Sequence, residues 1–188
     1  MKCSLVGSLW LAIAFAGGAA AQSAGIQAEW DVRAILKEIS AHAGRIQKVL
    51  EKVDAQAWVK QGATDTYVTQ VNSARAQARA LASEALDLGR DPERLSMALQ
   101  TFFRMQYLEF VLPSLDQGIR KYQSAALADE LRSVASQNGA NRERFQRYIV
   151  ELADAREQQF RVMDMEAQRC RGFLVRQPVN PSGKSGRK

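Results

Sequence analysis

"TDTYVTQVNSARAQARALASEALDLG", residues 64–89, carries the clearest structural pattern in the chain. Its apolar positions recur at steps of four and three: Tyr67, Val71, Ala74, Ala78, Leu81, Ala85 and Leu88. In an α-helix that spacing places all of them on one face. Thr64 is expected to cap the start of the helix, and Gly89 to end it. The pattern predicts an amphipathic helix whose many alanines let a neighbouring helix approach closely.

Three further segments, one before this helix and two after it, show the same helical spacing of apolar residues. The first covers about 29–53. The second begins at Asp91 and Pro92, a capping residue followed by proline at the first helical position. Its stripe slips once between Met105 and Leu112, and Pro113 just beyond the slip predicts a kink. No stretch alternates with the period of two that a strand requires, so the chain is predicted to be all helix.

The last helical segment, about 125–171, begins after a Ser124 cap and carries Gly172 where a helix would end. "QNGAN", residues 137–141, interrupts its stripe, and two interpretations compete. The heptad phase passes through without a slip, which favours one continuous helix with a polar layer. Against this, Asn138–Gly139 is good turn chemistry, and an unbroken rod of roughly 70 Å would exceed the other helices. This helix is therefore expected to be long, or broken near Asn138–Gly139.

Short connections join the four segments, apart from residues 54–63, where Trp58 and Val59 are expected to fold back as a lid. Amphipathic helices with short loops pack as antiparallel neighbours. The sequence therefore predicts an all-α fold, an up-and-down four-helix bundle over residues 29–172.

The N-terminal stretch has the form of a secretory signal. Lys2 precedes an apolar run from Leu5 to Phe15, and small residues follow up to Ala21. That run is too short for a bilayer, which takes roughly 20 residues to cross. We expect cleavage of residues 1–21, a flexible leader at 22–28 and no stable membrane insertion. Retention of the signal as an anchor is the alternative. The predicted location is periplasmic or extracellular.

The formal net charge of +6 suggests a nucleic-acid partner, but the charges are unevenly placed. Residues 22–170 contain 20 basic and 20 acidic side chains, whereas five basic ones and no acid follow Cys170. A phosphate-binding surface needs a basic excess over a patch of the folded domain. The tail, residues 173–188, is rich in proline and glycine with few apolar groups, which predicts disorder. We therefore expect no nucleic-acid partner.

A single histidine, His42, restricts the metal and catalytic chemistry of the chain. Di-iron bundles need two Glu-x-x-His pairs, and multi-histidine zinc sites need more than one histidine. Covalent haem attachment needs Cys-x-x-Cys-His, which is absent. No Ser-His-Asp set, Cys-His set or glycine-rich phosphate loop is recognisable. We expect no metal, no cofactor and no enzymatic activity.

"TFFRMQYLEF", residues 101–110, is the densest aromatic stretch. Phe102, Phe103 and Tyr107 could line an apolar ligand pocket whose wall is bent by Pro113, with Glu109 beside the inward stripe. The alternative is a helix buried on more than one face. Glu109 is either a buried acid with a raised pKa or a residue that turns to solvent or meets an arginine.

Cys170 is the only thiol left after removal of the signal, so no intramolecular disulfide is possible. Outside the cytoplasm an odd cysteine indicates an intermolecular disulfide or a free thiol. Arg169 and Arg171 favour the thiolate, but a helix C-terminus opposes it. Three interpretations stay open: an inert thiol at the core edge, a disulfide to a second copy or partner, and a reactive group.

Three functions compete on these grounds. The first is an exported, non-catalytic protein-interaction or structural module of the cell envelope or secretome, with an unidentified protein partner or as a homodimer. The second is a carrier of a small apolar ligand in the bundle core. The third is a redox or thiol-modification site at Cys170.

Overall fold

The structure, a computed structural model, describes residues 29–176. Within that range it contains helices joined by short turns and no strand. The helices are α1 (Glu29–Glu51), α2 (Ala55–Lys60), α3 (Thr66–Arg90), α4 (Leu95–Tyr122), α5 (Ala125–Ala135) and α6 (Gly139–Arg176), with a 3₁₀ turn at Ser136–Asn138. The predicted signal, the leader and residues 177–188 of the predicted tail lie outside the described residues.

Side chains that pair across the helices show that neighbours run antiparallel. Ser40 in α1 donates to the carbonyl of Ala82 late in α3, whereas Arg75 early in α3 donates to the carbonyl of Leu50 at the end of α1. The same inverse order links α3 to α4 and α4 to α5 and α6, through Tyr107 with Ser73, Arg104 with Glu84, Arg132 with Asp116, and Arg142 with Glu109.

The packing order closes these helices into a ring. Helix α1 contacts α3 on one side and α5 and α6 on the other. Helix α4, opposite α1, contacts the same three helices. Helices α5 and α6 follow one another along the fourth side of the ring and are here called the fourth rod. Helix α2, six residues long, is not one of the four sides. The predicted fold class, an all-α bundle of antiparallel helices, is therefore confirmed.

The apolar stripes of the sequence meet in the centre of the ring. Of the seven positions in the α3 stripe, six are buried and Tyr67 is half-buried. The α1 stripe is buried along its whole length, at Val32, Ile35, Leu36, Ile39, Ala43, Ile46, Val49, Leu50 and Val53. Because the α3 stripe is rich in alanine, α1 and α3 can pack closely, as the pattern predicted.

Helix α2 forms the predicted lid over one end of the core. Trp58 is 1 % exposed, its indole packs edge-on against Tyr67 with ring centroids 5.5 Å apart, and it stacks on Tyr122 at 6.2 Å. The indole N–H donates to the side-chain oxygen of Gln123 at 3.2 Å. Val59 is only half-buried, so Trp58 provides the anchor.

Several predicted helix ends differ from the structure. Helix α4 starts at Leu95 rather than Pro92, because Asp91 and Pro92 belong to the turn that precedes it. Gly89 does not end α3 in a left-handed conformation, since the only positive φ among the described residues belongs to Gly62. Ser124 does cap α5, where its hydroxyl accepts from the N–H of Leu127 at 3.4 Å.

The fourth rod combines elements of both interpretations of "QNGAN". The chain stays helical through it, with Gly139 in the right-handed helical region, but the hydrogen bonding tightens to a 3₁₀ turn at Ser136–Asn138. Asn138 is buried, as a polar layer requires. At the other end of the rod, α6 passes through Gly172 and continues to Arg176. Residues 173–176 are therefore helical and not part of a disordered tail.

Candidate functional site

A cavity of about 390 Å³ lies between α4 and the fourth rod, and it opens to the surface where the exposed Pro113, Arg132 and Ser136 line it. Met105, Leu108, Leu112 and Pro113 of α4 and Leu131 of α5 form most of its apolar wall. Ile46 of α1 and Leu81 of α3 also line it.

The cavity lies at the two irregular points of the bundle. Regular helices pack by fitting the ridges of one into the grooves of the other. Pro113 interrupts that regularity in α4, and the 3₁₀ turn interrupts it in the fourth rod. Both line the cavity, with Ser136 and Asn138 contributing from the turn. The gap therefore exists where neither helix can present an unbroken ridge to the other.

His42 is a buried polar group of this cavity, with 5 % of its surface exposed. Its Nε2–H donates to the carbonyl of Val134 at 2.9 Å. Burial lowers the pKa of His42, the bond to Val134 partly offsets this, and nearby Arg45 lowers the pKa further. The ring is therefore neutral near pH 7, and its Nδ1 is a hydrogen-bond acceptor.

Besides His42, two side-chain oxygens at the cavity are buried and accept no hydrogen bond. They are Oδ1 of Asn138 and Oδ1 of Asp116. The other carboxylate oxygen of Asp116 accepts from Arg132 at 2.6 Å. Since proline has no N–H, Pro113 also leaves the carbonyl of Glu109 without its helical donor. The cavity wall thus contains buried acceptors that no donor of the described residues satisfies.

Charges around the cavity are balanced. Asp116 pairs with Arg132, and Glu109 pairs with Arg142 at 3.2 Å. Outside these pairs, Arg120 binds Asp129 and lies 3.9 Å from Asp116. Each carboxylate therefore meets a guanidinium, and the cavity favours a neutral molecule over an ion. Glu109 follows the second of its two predicted interpretations, in which it meets an arginine.

The residues predicted to line a ligand pocket, Phe102, Phe103 and Tyr107, do not line this cavity. Phe102 is packed in the core, Phe103 is 60 % exposed, and the hydroxyl of Tyr107 donates to Ser73 on α3 at 2.7 Å. Of the four predicted residues only Glu109 lines the cavity. The prediction followed aromatic content, whereas the signal that marks the cavity is the phase slip between Met105 and Leu112.

Cys170 lies far from the cavity, on the exposed last part of α6. The predicted placement at the core edge and at a helix C-terminus is wrong, because α6 continues beyond it to Arg176. Neighbouring Arg169 pairs with Glu166 at 2.9 Å. The disulfide and the reactive thiol remain predictions.

In the part of the chain that the structure describes, no three His, Cys, Asp or Glu side chains are grouped to hold a metal ion. In the same residues, 29–176, no helix has both the length and the apolar character needed to cross a bilayer. No protein-family model, curated protein or solved structure matches the chain.

Proposed function

We propose that this protein binds, without chemical conversion, a neutral and mostly apolar small molecule that carries a hydrogen-bond donor at one end. The observation that carries the proposal is the apolar cavity with two buried oxygens in its wall, Oδ1 of Asn138 and Oδ1 of Asp116, that accept no hydrogen bond. The volume of about 390 Å³ lies within the usual range of small-molecule sites.

These two oxygens favour a ligand with a hydrogen-bond donor over a purely apolar one. A buried polar atom without a partner costs about 1–3 kcal/mol of folding free energy. A hydroxyl or N–H of a bound molecule would remove that cost, while its apolar body would contact Leu108, Leu112 and Leu131. Phenols, indoles and aromatic alcohols have this combination of groups.

Binding is favoured over catalysis by the hydrogen bonds of the two reactive side chains at the cavity. The Nε2–H of His42 is used by the carbonyl of Val134, and the hydroxyl of Ser136 donates to the carbonyl of Ser133 at 2.9 Å. A serine nucleophile needs a hydrogen bond to its base, and neither group makes one to the other. Glu109 and Asp116 are both neutralised by arginine.

Calorimetric titration with 1-naphthol and with 1-methoxynaphthalene tests the donor requirement. We expect 1-naphthol to bind more tightly, because only its hydroxyl can donate to Asn138 or Asp116. Asn138→Leu, which removes one acceptor at similar volume, should reduce the preference. Equal binding of both compounds to the unchanged protein would contradict the donor requirement.

A cavity-filling variant tests the location. Ala135 is half-buried and lines the cavity, so Ala135→Phe should abolish binding of 1-naphthol. Ala80, half-buried on α3 outside the cavity lining, provides the matched control, and Ala80→Phe should bind as the unchanged protein does. Unaltered binding by Ala135→Phe would place the ligand elsewhere.

A second function, the protein-interaction module, is favoured by a separate observation. The last part of α6 is exposed and still apolar, with Phe160 71 % and Met163 69 % exposed. Such side chains mark contact surfaces when they are grouped. Export from the cytoplasm also remains part of the proposal, and it rests on residues 1–21. An intact mass lacking those residues, measured on protein from its native host, would support it.

A further inference from the structure

The exposed part of α6 begins where its contacts with the bundle stop. The hydroxyl of Tyr148 donates to the carbonyl of Pro92 at 2.8 Å, and Arg156 donates to the carbonyl and the carboxylate of Glu93 at 3.1 and 2.7 Å. Beyond Arg156, every residue up to 176 whose exposure is described is exposed. Residues 157–176, here called the overhang, extend about 30 Å at 1.5 Å per residue.

An apolar stripe runs along the overhang. Phe160, Met163, Ala167 and Cys170 recur at steps of three and four, the spacing of one helix face. Towards the N-terminus of α6 the same helix face passes through Arg156 and then reaches Leu152 and Ile149. These two residues belong to the bundle core and are 1 % and 7 % exposed. The stripe therefore faces in the same direction as the core-facing side of α6.

This direction determines how a partner helix can lie. A helix packed on the stripe sits across the end of the bundle, above the core. A parallel copy of this chain would then place its own bundle on the same space as the first. An antiparallel copy places the two bundles at opposite ends of the paired overhangs, where they do not collide, and the pair has the two-fold symmetry usual for homodimers.

The charges of the overhang complement themselves in the antiparallel direction. From residue 157 to 166 the acids are Glu157, Asp164 and Glu166 against one Arg161, whereas residues 167–176 contain arginines and no acid. Arg171 makes no ion pair within the described part of its own chain. With Phe160 at heptad position a, Asp164 and Arg171 both fall at position e, which flanks the stripe.

From these observations we propose that the protein forms an antiparallel homodimer through residues 157–176. Asp164 of each copy lies beside Arg171 of the other, so two equivalent ion pairs flank the seam. In that register Ala167 faces Cys170 of the second copy and Met163 faces position 174, the next step of the stripe, so the contact is centred on residues 163–174 and Phe160 lies at its edge. A shift by one heptad would instead bring Asp164 against Asp164, which is repulsive.

In this register the dimer is not linked by a disulfide between the two Cys170 residues. Two cysteines can be bridged only when their Cα atoms lie within about 7 Å of each other. Since Cys170 faces Ala167 rather than its own copy, the dimer does not depend on oxidation. The contact is a short strip, smaller than a standard stable interface, so we expect a dissociation constant in the micromolar range.

Charge reversal tests the ion pairs. Sedimentation velocity in the presence of reductant should show a monomer–dimer equilibrium for the unchanged protein. Asp164→Arg alone and Arg171→Asp alone should each weaken the dimer at least tenfold, because each places like charges together. An equimolar mixture of these two variants should recover a dimer, since every arginine then meets an aspartate. The overhang is exposed, so these variants should fold normally, which circular dichroism checks.

A distance measurement tests the direction. In a Cys170→Ser background, Gln158→Cys carries a nitroxide label near the start of the overhang. The antiparallel register separates the two labels by about 32 Å, whereas a parallel pair brings them to about 10 Å.

A monomer throughout the micromolar range would overturn the proposal. A dimer unaffected by either charge reversal, a dimer lost on reduction, or the short label distance would each overturn it as well.

Discussion

Gly118 occupies a position in α4 where any side chain meets two aromatic rings. A Cβ there would lie 2.8 Å from Cε1 of Tyr67 and 2.9 Å from Cζ3 of Trp58. Trp58 is almost fully buried and is held between Tyr67 and Tyr122, so its ring has little room to move. Gly118→Ala should therefore lower the free energy of unfolding by about 1–2 kcal/mol, since overpacking outweighs the helix propensity that alanine adds. Urea denaturation measures this.

Gly44 provides the matched control for that substitution. It lies in the middle of α1, and a Cβ there meets nothing within 4 Å. Gly44→Ala should raise the free energy of unfolding by up to about 1 kcal/mol, because only the propensity gain remains. If both variants changed stability in the same direction, the packing of Trp58 and Tyr67 on Gly118 would not be the cause.

His42 should make stability depend on pH. Its pKa in the folded state is lowered below the ordinary value of 6.5, mainly by burial. The unfolded chain therefore binds a proton more readily than the folded protein, and stability rises with pH across the interval between the two pKa values. The full contribution is present above about pH 6.5 and is lost as the pH falls below it.

The variant His42→Gln keeps an N–H donor for the carbonyl of Val134 but does not titrate. Urea denaturation between about pH 5.5 and 7.5 should show a rising free energy of unfolding for the unchanged protein and a flatter curve for His42→Gln, because carboxylates titrate mostly below this range. An equal slope in both proteins would assign the pH dependence to other groups.

At the scale of the helices, the ends were harder to predict than the stripes. Arg75 binds carbonyls at the end of α1 and in the turn after it, since its guanidinium donates to Leu50 at 2.9 and 3.1 Å and to Val53 at 2.6 Å. An arginine more than twenty positions away gives no local capping signal, although it satisfies the same orphan carbonyls as a local cap. Conversely, Asp91 and Pro92 form a local start signal that the tertiary structure overrides.

The irregular points of the helices were visible in the sequence, but their consequence was not. The phase slip before Pro113 and the polar stretch "QNGAN" each appeared as a separate anomaly. Only the packing of α4 against the fourth rod brings them to the same cavity. The cavity is formed between two helices, whereas the spacing of residues in the sequence describes each helix separately. The sequence pattern therefore could not predict it.

At the scale of the whole molecule, the chain consists of a bundle and a helix that extends beyond it. Deletion of residues 157–188 should change the free energy of unfolding by less than about 0.5 kcal/mol at concentrations where the protein is monomeric, because the removed side chains that are described are all exposed. Thermal and urea denaturation measure this.

A deletion that starts at Phe145 is the contrasting variant. It removes Phe145, Tyr148 and Leu152, which are 0 %, 2 % and 1 % exposed, and leaves their partners in the core uncovered. We expect that chain to lose cooperative unfolding. A large loss of stability in the shorter deletion would mean that the overhang folds back on its own bundle.

The fold class, the four helical segments and nearly all the buried positions of α1 and α3 could be predicted from the sequence, because helical periodicity is local and apolar burial follows from it. The sequence did not determine the site. Phe102 is as apolar as the α4 residues that line the cavity, and only the relative rotation and spacing of α4 and the fourth rod decide which residues face the gap. Only the tertiary structure shows that the apolar stripe of α6 extends beyond the bundle, because this depends on where the neighbouring helices end.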